Sequence, residues 1–299
     1  MSQRTEKLCD MGKAVNLIED GMRIGLGGFV LYQKPMAIVH ELIRAGKKNL
    51  TLVGSTHSID ADMLIGAGCL SKIETSYVGL EKFGLARNFR REMESGRLET
   101  IYYPELIAID RFRANREGLD FWPVNSLGGN DVVNKNPDII PFECPITAKP
   151  LWAVPAANID VGIIHAYAAD KYGNVQIQER HTLPQSLNTT IAFACKTLIV
   201  TAEKIVDSSD IRKKPHLTVI PSFKTTCVVH VENGSHPTPT LSETRMDEKF
   251  ITEYVEATKT RESFKKFLQK YIYDTKDFKE YLDLVGKEQI EAIKERGLE

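Results

Sequence analysis

Apolar and polar residues follow two alternating periods along the N-terminal part of the chain. Residues 6–19 place apolar side chains at helical spacing, and residues 22–26 form a short apolar run that leads into a glycine loop. A second helical pattern begins at Pro35 and ends at Gly46, after which residues 50–53 resume the β-rich pattern. This order predicts a helix followed by a strand–helix–strand unit.

The same alternation continues over the rest of the first two hundred residues. Strands that alternate with helices imply a mostly parallel sheet with helices on both faces, because parallel neighbours need a crossover connection. The predicted fold class is therefore an open α/β sheet. Further helices are expected over 61–67 and 83–94, after Glu105 and over 187–195, and further strands at 73–78, 100–103, 152–155, 161–166, 175–177 and 197–201.

Two stretches depart from this alternation. Residues 123–150 are rich in Pro, Asn and Gly, so they form either a linker or an active-site excursion. Because strand patterns resume afterwards, the same sheet can continue, and we expect one domain over 1–299. Residues 247–299 carry a helical, charge-dense pattern, and their regularly spaced aromatic residues are typical of a packing face. The domain is therefore expected to end in a helical extension.

The composition is that of an ordinary globular protein. Of the 299 residues, 42% are hydrophobic and 26% are charged, which excludes the disordered and fibrous classes. The 39 basic and 40 acidic residues give a net charge of −1, so no overall field favours nucleic acid or an anionic membrane. Charged residues interrupt the apolar runs well before the length of about 20 that a membrane span needs. We expect a soluble protein without a signal peptide.

The cysteine and histidine patterns exclude several kinds of site. The five cysteines are scattered without a C-x-x-C pair, which argues against a disulfide framework and a zinc ribbon and fits a reducing cytoplasm. The seven histidines form no H-x-x-x-H pair and no cluster with cysteine, so we expect no metal. There is likewise no G-x-S-x-G elbow of a serine hydrolase.

Residues 25–29, Gly-Leu-Gly-Gly-Phe, follow a predicted strand and precede a predicted helix. In this position the backbone N–H groups around Gly27, Gly28 and Phe29 can approach a phosphate or an oxyanion. The loop is not a G-x-G-x-x-G fingerprint, because Val30 stands where the third glycine would fall, and no Walker sequence occurs. A tight turn without a ligand is the alternative.

The glycine loop is part of a longer and more specific string. Residues 20–29, Asp-Gly-Met-Arg-Ile-Gly-Leu-Gly-Gly-Phe, followed by Pro35, resemble the N-terminal signature of family I coenzyme A transferases. The resemblance covers nearly the whole chain and includes residues 168–175. Lys34-Pro35 and residues 62–66 are most similar to the A-subunit branch that contains glutaconate CoA-transferase. The resemblance implies an open α/β fold that occurs in two subunits.

The resemblance also implies a reaction and a partner. In this family an acyl group passes between CoA and a carboxylic acid through a glutamate of the partner B subunit, which forms an acyl anhydride and then a glutamyl-CoA thioester. CoA is then a substrate, and no tightly bound cofactor is expected. Glu232-Asn233-Gly234 is similar to the partner's nucleophile motif, but its place near residue 230 favours a turn in the A-subunit pattern.

Several site residues follow from the resemblance. Glu105 stands where relatives carry a glutamate facing the joint active site, and Ser55 stands where oxoacid transferases keep an asparagine that holds the thioester oxyanion. The alternative for Glu105 is a carboxylate that stabilises a helix N-terminus. The backbone N–H groups from Gly54 to Thr56 are alternative oxyanion donors. His57, in the same loop, is a candidate contact to a substrate carboxylate.

Four more residues are candidates for binding a carboxylate. Tyr77 lies near the end of a predicted strand, whereas Arg87, Arg90 and Arg91 lie on a predicted helix. A charged helix face of this kind is more typical of a solvated surface, and this is the alternative for the three arginines.

Two other functions fit the same residues. Some relatives with this A-subunit pattern are ring-opening hydrolases that act on CoA thioesters from steroid degradation, and these also carry an acidic residue at the position of Glu105. A non-catalytic subunit that binds CoA thioesters through the retained fold is the other alternative. The first hypothesis is the A subunit of a heteromeric, cytoplasmic CoA-transferase that acts on a carboxylic acid, with a dicarboxylic acid as a candidate.

Overall fold

The computed structural model describes residues 4–294 except 126, 128, 130 and 181. Strands and helices alternate along most of it and are numbered in chain order. The strands are β1 Arg23–Leu26, β2 Leu50–Val53, β3 Thr56–His57, β4 Leu70–Thr75, β5 Tyr77–Val78, β6 Glu99–Tyr102, β7 Phe121–Val124, β8 Ile140–Glu143, β9 Pro150–Pro155, β10 Val161–Asp170, β11 Val175–Gln176, β12 Thr197–Val206, β13 Thr218–Ile220 and β14 Cys227–His230. The helices are α1 Met11–Val15, α2 Met36–Arg44, α3 Ile59–Gly66, α4 Arg87–Glu94, α5 Glu105–Arg116, α6 Val132–Lys135, α7 Leu183–Ala194, α8 Ser208–Lys213, α9 Glu248–Ala257, α10 Arg261–Leu268, α11 Phe278–Val285 and α12 Lys287–Ile293.

A nine-stranded sheet forms the centre of the fold. Its parallel strands lie in the order β14-β12-β10-β1-β2-β4-β6. Strands β11 and β13 continue the sheet beside the carboxyl end of β10 in antiparallel pairs. The mostly parallel open sheet predicted from the alternating pattern is therefore confirmed, and the carboxyl ends of its parallel strands lie along one edge.

Helices cover both faces of this sheet. Ile163 and Ile199 belong to a hydrophobic cluster with residues of α1, α2, α3 and the C-terminal helices, whereas Ile164 and Val200 belong to a cluster with residues of α5 and α7. Successive residues of a strand point to opposite faces. The two clusters are thus the cores on the two sides of the sheet, as the prediction of helices on both faces requires.

Helix α2 shows how the local sequence sets an element. Pro35 occupies its N-cap, where the missing N–H group costs nothing, and Gly46 lies just after its end with a positive φ of 67°. Residues 36–40 and 42–43 are buried. The prediction of a helix between Pro35 and Gly46 is confirmed.

The predicted helix over residues 6–19 is wrong in its length. Only Met11–Val15 is α-helical. Before it, Leu8 forms a parallel bridge with Val228, and the Cys9 N–H donates to the Val228 carbonyl over 2.9 Å. Pairing with β14 satisfies these backbone groups, so the apolar spacing near Leu8 reflects an extended segment on the sheet edge.

Residues 123–150 are an excursion with structure of its own. Strands β7, β9 and β8 form a three-stranded antiparallel sheet, and α6 lies between β7 and β8. The Asn136 side-chain amide donates to the Tyr102 carbonyl over 2.8 Å. This contact joins the excursion to the end of β6, where the candidate site lies, and the linker alternative is not supported.

The C-terminal extension is helical, as predicted, and its aromatic residues pack inward. The Tyr254 hydroxyl donates to Asp62 Oδ2 of α3 over 2.6 Å, and both side chains are fully buried. Burial raises the pKa of Asp62 to about 6. The prediction of a packing face is confirmed by the buried positions of Phe250, Tyr254, Phe264, Phe267, Tyr271, Phe278 and Tyr281.

Two of the candidate carboxylate-binding arginines hold this extension. Arg87 donates to the Val255 carbonyl over 2.7 Å and Arg91 donates to the Thr258 carbonyl over 2.6 Å, at the C-terminal end of α9. Cations are favoured at that end of a helix because carbonyls there lack partners. Arg90 is exposed and pairs with Glu94. The suggestion that these arginines bind a substrate carboxylate is therefore wrong.

Within the described part of the chain, no helix has the length and apolar character needed to cross a membrane. The described His, Cys, Asp and Glu residues also form no group of three or more that could hold a metal ion.

Candidate active site

A cavity of about 670 Å³ opens where β1, β2, β4 and β6 end. In open α/β sheets the carboxyl edge is the usual place for a ligand, because the loops there extend beyond the packed layers. Loops that follow four neighbouring strands thus meet around one space. The lining residues are Phe29, Val30, Thr56, Ser76, Tyr77, Glu81, Tyr102, Tyr103, Pro104, Glu105 and Val132.

Glu105 stands at the rim of this cavity, as the first residue of α5. Pro104 is the N-cap, and the Glu105 side chain is exposed and forms no ion pair with any other described residue. The helix-terminus alternative for Glu105 is thus structurally correct, yet the same position directs an unpaired carboxylate to the cavity. The predicted part of Glu105 in a joint active site stays a prediction.

Ser55 lies behind the rim and does not line the cavity. It is 6% exposed, and its hydroxyl donates to the Glu105 carbonyl at 3.4 Å. Its own carbonyl accepts from the hydroxyls of Thr75 and Ser76. Ser55 therefore connects the ends of β2, β4 and β6, and its predicted role as oxyanion donor stays a prediction.

Thr56 lines the cavity one residue further along. Its hydroxyl is buried and has no hydrogen-bond partner among the described residues, while its carbonyl accepts from the Lys34 ammonium over 3.0 Å. A buried hydroxyl without a partner is costly unless something else satisfies it. The sequence points only to the backbone of Thr56, and nothing in it indicates that this side chain lines the cavity.

A buried ion pair supports this loop from below. Lys34 Nζ lies 3.2 Å from Asp60 Oδ2, and both side chains are completely buried. His57 Nδ1 lies 2.8 Å from the same oxygen, and the Asp60 carboxylate also accepts the Ser58 N–H over 2.7 Å. These contacts hold residues 54–58 in place. Lys34 entered the sequence analysis only as part of a motif, and Asp60 did not enter it.

Burial and charge act in opposite directions on these groups. Burial alone would raise the pKa of Asp60, but the Lys34 ammonium and the His57 ring hold it well below its usual range. Burial lowers the pKa of His57, so the ring is neutral at pH 7 and its Nδ1–H donates to Asp60. Burial also lowers the pKa of Lys34, against the attraction of Asp60.

His57 does not line the cavity, and its predicted contact with a substrate carboxylate stays a prediction. The ring is 1% exposed and is held by Asp60. Gly54 explains how the loop accommodates it, since a Cβ atom at Gly54 would lie 2.0 Å from His57 Nε2. The Gly54 N–H donates to the Glu74 carbonyl over 2.9 Å, so this amide is not free to act as an oxyanion donor.

The glycine loop after β1 also uses its amides within the chain. The Gly27 N–H donates to the Ile163 carbonyl over 2.8 Å, and the Gly28 N–H donates to Asn188 Oδ1 over 2.7 Å. A Cβ atom at Gly27 would lie 2.2 Å from that oxygen, which explains the glycine. The Phe29 N–H donates to the Tyr32 carbonyl. These three amides are thus engaged within the chain, and their approach to a phosphate or oxyanion stays a prediction; the Phe29 side chain lines the cavity.

A second buried charge cluster fixes the strand ends. Glu74, at the end of β4, binds Arg23 over 2.9 Å and Arg111 over 2.7 Å. Burial alone would raise the pKa of Glu74, but the two guanidinium groups lower it to about 2. Arg111 also lies over the ring of Tyr103 at 3.9 Å, and Tyr103 lines the cavity. The cluster thus ties β1, β4 and α5 together beneath the site.

Aromatic residues form the mouth of the cavity. Tyr77 is 40% exposed and Tyr102 is 43% exposed, although both line it. Leu106, next to Glu105, is 71% exposed. Large exposed apolar side chains grouped around a cavity are typical of a surface that meets another molecule.

Glu232 lies away from this cavity. It follows β14, at the far side of the sheet, in a turn whose Asn233 N–H donates to Glu203 Oε1 over 2.7 Å. It borders a separate groove of about 1230 Å³ between the N-terminal segment and the C-terminal helices. The structure therefore agrees with the turn predicted for Glu232-Asn233-Gly234.

Comparison with known proteins places the chain in a family. The family model for Coenzyme A transferase matches residues 9–264. The A subunit of a 3-oxoadipate CoA-transferase from Pseudomonas knackmussii is 34% identical over 273 residues, which cover 88% of this chain and 92% of that protein. An uncharacterised protein of Archaeoglobus fulgidus is 39% identical over 290 residues, or 94% of this chain, and this chain spans 64% of its length.

The similarity extends to three dimensions. The A subunit of glutaconate CoA-transferase from Acidaminococcus fermentans is 31% identical over 294 residues, covering 93% of this chain and 91% of that protein. The crystal structure of glutaconate CoA-transferase from that organism matches with a TM-score of 0.91 at 30% identity, over 97% of this chain and 96% of that one.

A more distant relative has a different reaction. A cholesterol ring-cleaving hydrolase subunit of Rhodococcus jostii is 26% identical over 286 residues, which cover 93% of this chain and 95% of that protein. The transferase subunits are more similar to this chain and match it over most of their length. The fold class and the transferase relationship predicted from the sequence are confirmed, and the chain belongs to the coenzyme A transferase family as an A-subunit type.

Proposed function

We propose that this chain forms a half-site that a B subunit completes with a nucleophilic glutamate, and that the complex moves CoA between an acyl-CoA and a carboxylic acid. The observation that supports this most directly is the unpaired Glu105 carboxylate at the rim of an open cavity, with Tyr77, Tyr102 and Leu106 exposed around it. A partner seated on these side chains would cover them and close the cavity.

The chemistry proceeds in balanced steps. The partner's glutamate attacks the thioester carbonyl carbon, CoA leaves as a thiolate, and the acyl group becomes part of a mixed anhydride. The thiolate then attacks the glutamyl carbonyl of the anhydride, which releases the first acid as a carboxylate and leaves a glutamyl-CoA thioester. The acceptor carboxylate attacks that thioester, and the two steps run in reverse to give the new acyl-CoA.

Thr56 is suited to stabilise the charge that develops on the thioester oxygen. Thr56 lines the cavity, and its buried hydroxyl lacks a partner in the described structure. A donor that is already oriented and desolvated stabilises an oxyanion more than water does. The buried Lys34 and Asp60 hold the backbone of this loop, so the hydroxyl is positioned before substrate arrives.

Glu105 acts on the nucleophile through its charge. A second carboxylate nearby disfavours the charged form of the partner's glutamate and so raises its basicity and nucleophilicity. This repulsion is relieved when the glutamate becomes a neutral anhydride or thioester. The interaction therefore destabilises the ground state more than the acylated state, which accelerates attack.

A second function follows from the hydrolase relative. There Glu105 would act as a base on water or on the substrate, and no acylated glutamate would form. We favour transfer, because the transferase subunits share more identity with this chain than the hydrolase does.

Two measurements test the proposal. The chain purified alone should show no CoA transfer, and co-expression with a B-type chain should restore transfer; strong activity of the isolated chain would refute the half-site and direct attention to Glu232. In the complex, incubation with acyl-CoA alone followed by hydroxylamine or borohydride should abolish activity, because these reagents destroy the glutamyl thioester. Incubation with the acid alone is the control.

The opposite result would support the hydrolase. A complex that survives both reagents, forms no adduct, and consumes a cyclic acyl-CoA in a water-dependent reaction would overturn transfer. A cytoplasmic location belongs to the same proposal and is supported by the five free cysteines.

A further inference from the structure

We propose that the cavity selects an uncharged, apolar acyl group, and that the enzyme acts on monocarboxylic acids in preference to dicarboxylic acids. This inference rests on the proposed CoA transfer and specifies its substrate class. It departs from the acids for which two of the transferase relatives are named, 3-oxoadipate and glutaconate.

The charges of the lining residues disfavour a second carboxylate on the substrate. Two carboxylates, Glu81 and Glu105, line the cavity, and the described lining contains no Lys, Arg or His. Neither carboxylate forms an ion pair with a described residue. The remote carboxylate of a dicarboxylic acyl group would therefore meet two negative charges that no cation of this chain offsets. Like charges brought together at a binding site oppose the wrong ligand strongly.

Cations near the lining are already bound to other acids. Lys34 touches the loop only through the Thr56 carbonyl and is fully buried against Asp60. Arg111 lies over the Tyr103 ring but is 2% exposed and binds Glu74.

Lys82, beside Glu81 in the chain, pairs with Glu248. None of these three cations lines the cavity, and Lys34 and Arg111 are also buried against acids of their own.

The free polar side-chain groups of the cavity, apart from its two carboxylates, are neutral hydroxyls, and the exposed Tyr77 hydroxyl is one of them. The Thr56 hydroxyl has no partner among the described residues, but Ser76 donates to the Ser55 carbonyl. The hydroxyls of Tyr102 and Tyr103 are also engaged, by Met93 and Asp138.

The remaining wall is apolar or aromatic, formed by Phe29, Val30, Pro104, Val132 and the tyrosine rings. Such a surface favours an apolar chain at one end and a thioester at the other. The volume of about 670 Å³ accommodates either kind of six-carbon acid, so charge and not size makes the choice.

Hexanoate and adipate test this directly, because they have equal length and differ in one remote carboxylate. We would measure kcat/KM for CoA transfer from acetyl-CoA to each acid with the co-expressed complex. Hexanoate is expected to be preferred by about 10²-fold, the scale of a site that opposes a charged competitor. A variant, Glu81→Lys, should raise the ratio of kcat/KM for adipate to kcat/KM for hexanoate about tenfold or more.

Glu19→Lys is the matched control. Glu19 is exposed and precedes the amino end of β1, at the edge of the sheet opposite the cavity, so the same charge change there should leave the ratio unaltered. Adipate used as well as hexanoate, or better, would overturn this proposal and leave CoA transfer standing, since a cation from the B subunit would then serve the remote carboxylate. A complex that transfers CoA to neither acid, nor to any other carboxylate tried, would overturn the proposed function itself.

Discussion

Two sets of charged side chains surround the cavity, and they are paired differently. The buried set consists of Lys34 with Asp60 and of Glu74 with Arg111 and the partly exposed Arg23, and every member faces an opposite charge within 3.2 Å. The exposed set consists of Glu81 and Glu105, which line the cavity and pair with no described cation. The buried set lies behind the loops whose exposed ends carry the other set.

The difference in pairing follows from the free energy that is needed to remove each charge from water. A charge taken out of water is very expensive unless a partner and hydrogen bonds compensate it, so the buried set cannot lose a member without penalty. The exposed carboxylates keep their water and contribute little to stability. Their charge stays available to a substrate or to a partner's glutamate, which is the property that a site needs.

The largest effect on stability is expected for Lys34→Met. The variant should lose about 3–5 kcal/mol of unfolding free energy, because Asp60 would remain buried and charged without its cation. Urea unfolding of the purified protein, followed by circular dichroism, measures the loss. The double variant Lys34→Met/Asp60→Asn should recover most of it, and a single variant as stable as the wild type would show that the pair does not support the fold.

Glu105→Gln should lower activity and leave stability almost unchanged, in contrast to Lys34→Met. It is expected to lower kcat/KM of the complex by about 10²-fold, the scale of a positioned charged group, while the melting temperature changes little. Glu117→Gln, at the opposite end of α5, is the matched control, since Glu117 is also exposed. Wild-type kinetics in Glu105→Gln would remove Glu105 from the site and favour a subunit that serves assembly alone.

Asp62 adds a buried acid whose carboxylate accepts from Tyr254, Asn88 and the Phe89 N–H instead of pairing with a cation. Burial raises its pKa from 3.8 to about 6. Between these values the folded chain holds a proton that the unfolded chain has lost, so this group weakens the fold as pH rises from about 4 to 6.

The variant Asp62→Asn has no such proton. Its unfolding free energy relative to wild type should rise by about 2 kcal/mol between pH 4 and pH 7, at about 1.4 kcal/mol for each unit of pKa shift. Urea unfolding at the two pH values gives this difference. A difference independent of pH would mean that Asp62 titrates normally in the folded protein.

The smallest effect is expected at an exposed pair. Lys196 lies 2.9 Å from Asp160, but its side chain is 79% exposed. Lys196→Met should therefore change the unfolding free energy by less than about 1 kcal/mol, since solvent screens such pairs. A loss comparable with that of Lys34→Met would contradict the distinction between buried and exposed charges.

The sequence predicts the layers of this fold well and its charge pairs poorly. Helix α2 was predictable because Pro35 and Gly46 mark its ends locally, whereas the extended segment at Leu8 was not, because its partner Val228 is distant in sequence. Glu105 was singled out by its place after a predicted strand and by the family resemblance, and it lines the cavity at the carboxyl edge of the sheet.

The buried residues that hold the site in place could not be predicted from the local sequence. A lysine is ordinarily exposed, so nothing local announces that Lys34 is fully buried against Asp60. Asp60 also holds the His57 ring inward while Thr56 lines the cavity, and the Gly28 amide is bound by Asn188 of a distant helix. Pairings across the chain decide which member of a loop reaches the substrate.

The hydrogen bonds that join α9 to α3 and α4 can form only late in synthesis. The ribosome completes α3 and α4 long before it makes α9. During that time Asp62 lacks the Tyr254 hydroxyl and Arg91 lacks the Thr258 carbonyl as hydrogen-bond partners. Until then the apolar surface that the extension covers is open to chaperones and proteases. A chain truncated before about residue 247 would lack the C-terminal helices. Its apolar surface would stay exposed, so such a chain should be degraded more readily than the full-length protein.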